Sequence, residues 1–543
     1  VAAPGREALR QRQADQGAQD AEARGAHEPF RSHAPRVGDD TQAQPEAGSY
    51  AWTKQWYPVC VVAHTDPKKP HHIQVLGKDL VFWCDGQKQW RAFEDKCPHR
   101  LAPLSEGRVE EDGTLLCAYH GWRFDGDGQC TAMPQVMGDA NEEARMCKSA
   151  RACARAYPTA EHHGLLWVWA ESGADAFLES MTLNPPRLSE EYLELERARG
   201  GDSDGASGSG RGGGGDTEYK VNEWMQRDLP YGWDSFFENA IDPAHACVSH
   251  HGLVGSRYTD AIPFQWASRR GASAMDGFRM ALDPAPPPFN VVGNYQATCE
   301  YDFQPPVHLR FDWEHPRGYG LAILHYCTPT SPGRCRHFQA TVCTKDAGGS
   351  FDEQPRWFRL NKLSFQPSWW SHIVSPTFLH QDLVLLHSQE KIVEQEDETW
   401  FGACHMPTPS DKSVIMFRRW LQRAGGLGWQ LPPAARRLPP IERDPTKLFD
   451  TWNAHTKNCV PCQRALMVTQ GVMLASGVGA AAAISGGDLG TGLALGANLA
   501  GFNILRDLFY KYEFSHQDNG DDLWNIFARD ILLKPAEDAD MKR

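Results

Sequence analysis

Two short motifs, each pairing one cysteine with one histidine, constrain this chain more than any other feature. The first is Cys97-x-His99 and the second is Cys117-x-x-His120, with seventeen residues between His99 and Cys117. Two cysteines and two histidines can hold a [2Fe–2S] cluster in which the cysteines bind one iron and the histidines bind the other. Neutral imidazoles raise the reduction potential of such a cluster above that of a four-cysteine cluster. The motifs therefore predict a one-electron carrier.

A structural zinc site is the alternative for these four residues, because zinc is also bound by two cysteines and two histidines. Zinc fingers, however, usually pair cysteine with cysteine and histidine with histidine. Each motif here mixes the two, and Gly121 and Trp122 follow the second motif. The sequence therefore favours the iron–sulfur cluster.

A histidine pair further along the chain indicates a second metal site. His245 and His250 are five positions apart, and Asn239 and Asp242 precede them in an Asn-x-x-Asp-Pro-x-His-x4-His pattern. Non-haem Fe(II) oxygenases bind iron through two histidines and one carboxylate and leave positions open for dioxygen and substrate. The alternative is a structural role, in which the two histidines are hydrogen-bonded within the core and bind no metal. The preceding cluster motif favours a mononuclear iron, with both histidines expected on one irregular helix.

The carboxylate ligand must come from elsewhere in the chain. Asp382 is the best candidate because it lies on a short apolar amphipathic segment that could direct a carboxylate inward. Glu390, on the same segment, is the alternative.

The two motifs, in this order, resemble those of the Rieske non-haem iron oxygenases. Tyr57-Pro58, residues 94–107 and residues 165–169 resemble the plant and algal subgroup that includes pheophorbide a oxygenase. Cys459-x-x-Cys462 ahead of a hydrophobic tail is also typical of that subgroup. The similarity extends from about residue 52 to about residue 508.

This resemblance implies an α+β fold, in which a β-rich Rieske domain precedes a helix-grip catalytic domain and a C-terminal hydrophobic helical hairpin. It implies a ferredoxin as electron donor, O2 as co-substrate, a homotrimer and a location in the chloroplast, at the inner envelope or thylakoid membrane. Asn239 and Asp242 would be catalytic-site residues. Asp242 would accept hydrogen bonds from His245 and from the cluster ligand His120 of the partner subunit. The alternative role for Asp242 is that of a helix N-cap.

Two functions are compatible with the resemblance. The first is oxygenation of a chlorophyll-derived tetrapyrrole, as in pheophorbide a oxygenase or a protochlorophyllide-type side-chain oxygenase. The second is a redox sensor or regulatory subunit of the chloroplast protein-import translocon. The complete set of His245, His250 and Asp382 favours the enzyme, since a sensor has no need of an open iron site.

Composition changes divide the chain into segments. The predicted segments are a disordered N-terminus (1–48), a Rieske domain (49–172), a linker with a Gly/Ser-rich insertion (173–216), a catalytic domain (217–458), the Cys-x-x-Cys motif (459–462), a transmembrane hairpin (465–505) and a tail (506–543).

The hairpin prediction depends on two uncharged runs, of twenty residues at 465–484 and seventeen at 489–505. About twenty apolar residues suffice to span a membrane as a helix. Gly492 and Gly496 have the spacing of small residues at close helix contacts. A buried Ala/Gly-rich hairpin of a soluble domain is the alternative.

Cys459 and Cys462 are predicted to act as a thiol switch that a thioredoxin could reach, because Cys-x-x-Cys pairs form tight, reactive disulfides. Half of a metal site is the alternative, although no second Cys-x-x-Cys completes it. The other cysteines among the fifteen are expected to pack in the core. A net charge of −14 without a dense basic patch argues against nucleic acid as a partner.

Overall fold

The structure is a computed structural model, and its described residues form one compact unit within Ser49–Arg543. The residues described are 50–185, 208–211, 218–222, 224–251, 254, 256–282, 291–292, 295–315, 318–345, 367–374, 376–396, 399–511 and 514. The predicted disordered segment 1–48 lies outside them, as does most of the predicted tail.

The Rieske segment consists of short antiparallel strands in three sheets. Their orders are β1-β11-β10, β2-β3-β4-β9 and β5-β6-β7-β8. The strands are β1 (Trp56–Val61), β2 (His71–Val75), β3 (Lys78–Cys84), β4 (Trp90–Glu94), β5 (Arg108–Val109), β6 (Leu115–Leu116), β7 (Arg123–Phe124), β8 (Cys130–Ala132), β9 (Ala156–Tyr157), β10 (Thr159–His162) and β11 (Leu165–Trp169).

Two separate apolar cores stabilise this segment. The base, around β1 and β11, shares one large core with the catalytic domain, and Trp167 packs edge-on against Tyr326 at 5.0 Å. The tip has a small core of its own, which includes Trp83, Phe93 and Phe124. The cluster motifs therefore lie over a small core, while the base of the domain is continuous with the rest of the protein.

The catalytic domain is built on a nine-stranded sheet whose pairs are antiparallel. Its order is β12-β13-β22-β21-β20-β19-β16-β15, with β14 also paired to β22, and β17 and β18 form a separate ribbon. The strands are β12 (Gly208–Arg211), β13 (Glu218–Val221), β14 (Met225–Leu229), β15 (Trp266–Ser273), β16 (Gly277–Leu282), β17 (Val291–Val292), β18 (Tyr295–Gln296), β19 (Thr298–Gln304), β20 (His308–His315), β21 (Tyr319–Ser331) and β22 (Arg334–Lys345).

Helices cover this sheet. The helices of the described residues are α1 (Ala140–Cys147), α2 (Ala174–Ser180), α3 (Trp233–Ala240), α4 (Ala246–Ser249), α5 (Ser368–Val374), α6 (Thr377–Gln395), α7 (Trp400–Ala403), α8 (Lys412–Arg423), α9 (Pro445–Leu448), α10 (Thr451–Ala454), α11 (Val460–Ser485) and α12 (Leu489–Tyr510). Helix α3 packs on β21 and β22, because Trp233, Phe236 and Phe237 form one buried face at helical spacing. Helices α6 and α8 pack in turn on α3.

Polar contacts also attach the Rieske base to the catalytic sheet. Arg336, which pairs with Asp228 on the neighbouring strand of the sheet, donates to the Val59 carbonyl of the Rieske base at 2.8 Å. Thr328 donates to the Pro58 carbonyl at 2.7 Å. Because Arg336 and Thr328 are buried, these bonds fix the register between the two parts of the chain.

The C-terminal helices α11 and α12 form an antiparallel hairpin. A side chain at Gly492 would meet Ile484 at 2.5 Å, so glycine permits the close contact there, whereas Gly496 has nothing within 4 Å. The outward surface is apolar, since Leu474 is 71% exposed and Leu493 is 65% exposed. By length and composition, one described helix, α11, could cross a membrane.

The predicted segments differ from the structure in detail. The Gly/Ser-rich insertion contains β12, which pairs with β13 at the edge of the catalytic sheet, while residues 201–207 and 212–217 lie outside the described residues. Helix α11 begins at Val460, so Cys459 is its N-cap and Cys462 lies in its first turn, rather than both preceding it.

Candidate metal centres

The two Cys/His motifs form two loops with the same backbone hydrogen bonds. In each loop the cysteine amide donates to the carbonyl five residues on, and the amide four residues on donates to the cysteine carbonyl. The bonds are Cys97 N to Ala102 O (2.8 Å), Leu101 N to Cys97 O (2.8 Å), Cys117 N to Trp122 O (2.9 Å) and Gly121 N to Cys117 O (3.0 Å). Leu101 and Gly121, at equivalent positions, both have positive φ, of 59° and 74°. The two loops therefore share one backbone conformation, although the histidine follows the cysteine by two residues in the first loop and by three in the second.

The two imidazoles lie beside each other, and a tryptophan and a glutamine hold them there. The ring centroids of His99 and His120 are 4.6 Å apart, and Trp122 stacks on His99 at 4.7 Å. Gln135 accepts a hydrogen bond from the Trp122 indole at 3.2 Å and donates to the His120 carbonyl at 2.6 Å. Gln135 thus fixes Trp122 and His120 within the second loop, and Trp122 in turn packs on His99 of the first. The sequence gives no signal for this role of Gln135.

The donors of this site suit a Rieske cluster. Cys97 and Cys117 are each 1% exposed, and His99 Nδ1 is buried with no hydrogen-bond partner among the described residues. Burial raises the pKa of Cys97 to about 12, so a thiolate at this position requires a bound cation. Two buried sulfurs and two adjacent imidazoles match the ligand set of a [2Fe–2S] cluster.

The structure brings the three predicted iron ligands together from different parts of the chain. His245 and His250 flank the short helix α4, and Asp382 lies in α6. Asp382 Oδ2 is 3.7 Å from His245 Nε2 and 3.3 Å from His250 Nε2. The three ligand atoms lie within 4.8 Å of one another. One ion can therefore contact all three, as the two-histidine, one-carboxylate arrangement requires.

Each histidine directs Nε2 towards Asp382 and Nδ1 towards another oxygen. His250 Nδ1 donates to the side-chain oxygen of Gln381 at 2.8 Å, so Nε2 carries no proton in the neutral ring. His245 Nδ1 faces Asp242 Oδ2 at 3.7 Å. Such outer partners orient metal-binding imidazoles and fix their tautomers. The hydrogen bond from His250 to Gln381 was not predicted. In the sequence, the only hint of this role is that Gln381 directly precedes Asp382.

The electrostatics of this pocket favour a cation. Burial lowers the pKa of His245, but the carboxylates of Asp382 and Asp242 raise it more, to about 9 overall. The same two carboxylates would stabilise a bound metal ion.

The two oxygens of Asp242 point to different neighbours. Its Oδ1 accepts a hydrogen bond from the Ala244 amide at 2.8 Å, which fixes the turn before α4. Its Oδ2 faces His245, at a distance longer than a hydrogen bond. Asn239 lies near the end of α3, and its carbonyl accepts the Asp242 amide at 3.0 Å. Asn239 therefore supports the turn that carries Asp242 and His245.

The alternative carboxylate, Glu390, has other contacts. It accepts a hydrogen bond from the Gly232 amide at 2.7 Å and pairs with Lys391 at 2.6 Å. Glu390 thereby joins α6 to the start of α3. Next to the iron ligands, the ring of Phe378 packs edge-on against His250 at 5.1 Å.

The predicted thiol pair lies in the protein interior. Cys459 is 3% exposed and Cys462 is 1% exposed, and the nearest side chains include His372 and His455. The sequence predicted these sulfurs at a surface that a thioredoxin could reach, whereas both are buried in the described structure. His455 could have been found from its His-x3-Cys-x2-Cys spacing, whereas His372 is brought in from 87 residues before Cys459.

Comparison with known proteins agrees with this arrangement. The Rieske [2Fe-2S] domain model matches residues 55–142, and the pheophorbide a oxygenase model matches residues 303–400. Pheophorbide a oxygenase of Arabidopsis thaliana is 33% identical over 442 residues, which cover 77% of this chain and 73% of that protein. The chain belongs to the pheophorbide a oxygenase family of Rieske oxygenases. The resemblance inferred from its motifs is confirmed.

Other relatives in this family carry different names. Protochlorophyllide-dependent translocon component 52 of Arabidopsis thaliana is 31% identical and covers 78% of this chain and 75% of its own length. Flavonoid 8-hydroxylase 2 of Ocimum basilicum is 29% identical and covers 76% of this chain and 73% of its own length. All three relatives are chloroplastic proteins.

Membership of the family defines the class of this protein. It is a Rieske-type oxygenase with an α+β fold, and its cofactors are a [2Fe–2S] cluster and a mononuclear iron. Those parts of the sequence prediction are confirmed. The individual ligand assignments remain predictions, which the geometry supports.

Proposed function

We propose that this protein is a ferredoxin-dependent oxygenase of a chlorophyll-derived tetrapyrrole, most similar in activity to pheophorbide a oxygenase. The observation that carries the proposal is the convergence of His245, His250 and Asp382 in a chain that also retains both cluster loops. A protein that only senses redox state would gain nothing from this second metal site. The match of residues 303–400 to the pheophorbide a oxygenase model supports the substrate class.

Cys97, His99, Cys117 and His120 would hold the cluster, and His245, His250 and Asp382 would hold the iron. When bound, the cluster supplies single electrons and the iron activates dioxygen at its open positions. Gln381 keeps His250 in the tautomer that can bind metal, and Trp122 with Gln135 keeps the cluster loops in register. Asp382 supplies the negative charge that offsets part of the charge of Fe(II).

Asp242 would connect the two metal centres across a subunit boundary in a homotrimer, with His120 of the partner subunit on its other side. The position of its carboxylate supports this role, because Oδ2 faces His245 and the side chain is still 26% exposed. A carboxylate between two imidazoles orients both and raises their basicity.

The experiment that tests the substrate class is a product analysis. The protein, reduced by ferredoxin under air, is incubated separately with pheophorbide a, chlorophyllides, protochlorophyllide and a flavonoid. The products are identified by mass spectrometry. We expect incorporation of ¹⁸O from ¹⁸O₂ with a tetrapyrrole. If only the flavonoid were oxygenated, the tetrapyrrole proposal would be wrong and the protein would instead be a flavonoid hydroxylase, as the Ocimum relative is named. Lack of any product, with both metals present, would favour a translocon redox subunit.

The cluster assignment has its own test. Replacing His99 or His120 with cysteine is expected to abolish the mixed Cys/His EPR signal of the reduced protein and to lower the potential by roughly a few hundred millivolts, since thiolates add negative charge. Redox titration monitored by EPR measures both effects. His72→Cys, at an exposed histidine on β2, is the control and should leave the spectrum unchanged. Stoichiometric zinc without acid-labile sulfide in the parent protein would contradict the assignment.

The C-terminal hairpin is proposed to anchor the protein in a chloroplast membrane. Helix α11 has 26 residues, which at about 1.5 Å per residue exceed the ~30 Å hydrocarbon core. Its outward side chains are apolar and exposed, among them Leu474 and Val478. No described residue covers these two side chains, and the acyl chains of a membrane would do so.

Charging this surface should release the protein from membranes. The double substitution Leu474→Lys/Val478→Lys is expected to move the protein from the carbonate-resistant to the soluble fraction, because each central lysine costs about 2.5–3.5 kcal/mol. Met275→Lys, at an apolar residue that is 59% exposed in the catalytic domain, is the matched control. If the doubly charged variant remains in the carbonate-resistant fraction, the hairpin is not the anchor.

A further inference from the structure

Four side chains meet at the junction between the C-terminal hairpin and the catalytic domain. They are His372 in α5, His455 after α10, and Cys459 and Cys462 at the start of α11. His372 Nδ1 is 3.1 Å from His455 Nε2 and 3.4 Å from each sulfur, and His455 Nε2 is 3.3 Å from Cys462 Sγ. All four atoms lie within 4.8 Å of one another.

These distances are close to the edges of a metal-centred tetrahedron. Zinc lies about 2.0–2.1 Å from histidine nitrogen and about 2.3 Å from cysteine sulfur, so the N–N and N–S edges are about 3.3 Å and about 3.6 Å. The measured N–N separation is 3.1 Å and the N–S separations are 3.3–3.4 Å. Slight expansion would therefore admit one ion.

Hydrogen bonds alone do not account for the arrangement. His455 Nδ1 donates to the Gln226 carbonyl at 2.6 Å, so the Nε2 of this imidazole is free of a proton when the ring is neutral. His372 Nδ1 approaches three polar atoms at once but carries at most one proton. A cation at the centre would satisfy all four groups.

Burial makes this requirement stronger. The four residues are between 1% and 7% exposed, and the small apolar cluster around them includes Leu466 and Phe509. Polar groups in such surroundings destabilise the fold unless each has a partner. The Gln226 carbonyl also provides the outer hydrogen bond that metal-binding histidines usually make.

We propose that His372, His455, Cys459 and Cys462 bind one zinc ion, which fastens the hairpin to the catalytic domain. A tetrahedral set of two sulfurs and two nitrogens selects zinc or an iron–sulfur centre, and convergence on one point suits a single ion. Helix α5 leads directly into α6, which carries Asp382, so this ion would also hold the iron-binding helix in place. The inference is independent of the substrate of the oxygenase.

The zinc site and the predicted thiol switch exclude each other at any one time. A disulfide between Cys459 and Cys462 would remove two of the four ligands, and a bound zinc would block the exchange that a switch requires. An attacking thiol would also need to reach sulfurs that are at most 3% exposed.

The first measurement uses the full-length protein in detergent, purified without chelators and without reductant. Elemental analysis is expected to find about one zinc per chain in addition to the iron. Zinc X-ray absorption is expected to show two sulfurs at about 2.3 Å and two nitrogens at about 2.0–2.1 Å. This measurement needs no variant, so it decides the question even where a substitution prevents folding.

The second measurement compares variants. Cys459→Ser/Cys462→Ser is expected to reduce the zinc content at least tenfold, with the [2Fe–2S] spectrum retained as a sign that the protein is folded. Cys404→Ser, at a half-buried cysteine outside the cluster, is the control and should keep its zinc. Zinc that persists in the double variant would overturn the proposal.

Two results with the parent protein would also overturn it. Less than about a tenth of a zinc per chain, together with a Cys459–Cys462 disulfide in the mass spectrum, would establish the thiol pair of the sequence prediction instead. Iron in excess of the two ions of the cluster and the one mononuclear ion, without zinc, would refute the choice of metal.

Discussion

Replacing Asp382 with alanine is expected to abolish substrate turnover and to remove the mononuclear iron, while the [2Fe–2S] spectrum remains that of the parent protein. Asp382 is buried and contributes the anionic oxygen nearest to the Nε2 atoms of both histidines. Without it, two neutral imidazoles remain, which bind Fe(II) weakly. Product formation and iron analysis on the same sample measure the two effects.

Variants on the same helix calibrate this result. Gln381→Leu removes the hydrogen bond to His250, and we expect a loss of about 10–100-fold in iron affinity or activity. Glu396→Gln removes an exposed carboxylate at the end of α6 and should have no effect. If Asp382→Ala retained full activity, the third ligand would have to lie elsewhere.

Replacing Asp242 with asparagine is expected to leave both metals in place and to slow electron transfer between them. The amide keeps the shape of the side chain and its bond to the Ala244 amide, but it loses the charge that faces His245. We expect reoxidation of the reduced cluster, in the presence of substrate and O2, to slow by roughly 100-fold. Rapid-mixing absorption spectroscopy follows this step directly.

The matched control is Asp260→Asn, at another carboxylate near α4 that accepts the Ser256 amide at 2.7 Å. It should reoxidise at the parental rate. Unchanged reoxidation in Asp242→Asn would refute the connecting role and leave Asp242 with its turn-forming hydrogen bond alone.

The sequence predicted the sites whose ligands lie close together in the chain. Cys97 and His99 share one loop, and the spacing of His245 and His250 is visible without a structure. The irregular helix expected for that pair is interrupted in the structure. Five residues of α-helix rotate a side chain by about 500°, so a continuous helix would direct the two rings about 140° apart. The structure solves this by ending α3 before Asp242 and placing only four residues, α4, between the rings.

Contacts that depend on tertiary folding were not predictable. His372 meets Cys459 from 87 residues away, and Gln135 reaches His120 from a separate loop. Asp382 was found only because the helix that carries it is periodic enough to show an inward face. Periodicity reveals only contacts within one helix or strand. The number of residues between a polar residue and a remote partner depends on the path of the whole chain, so the sequence gives no signal for such a pair.

The division of the Rieske segment into two cores has a consequence for the assembly of the protein. The tip, which includes Cys97 and Cys117, has a small core separate from the main one, whereas the base is continuous with the catalytic domain. A chain without its cluster would therefore loosen at the tip while the remainder stays folded, and hydrogen exchange should be fast there alone. We therefore expect that iron and sulfide can be inserted after the catalytic domain has folded.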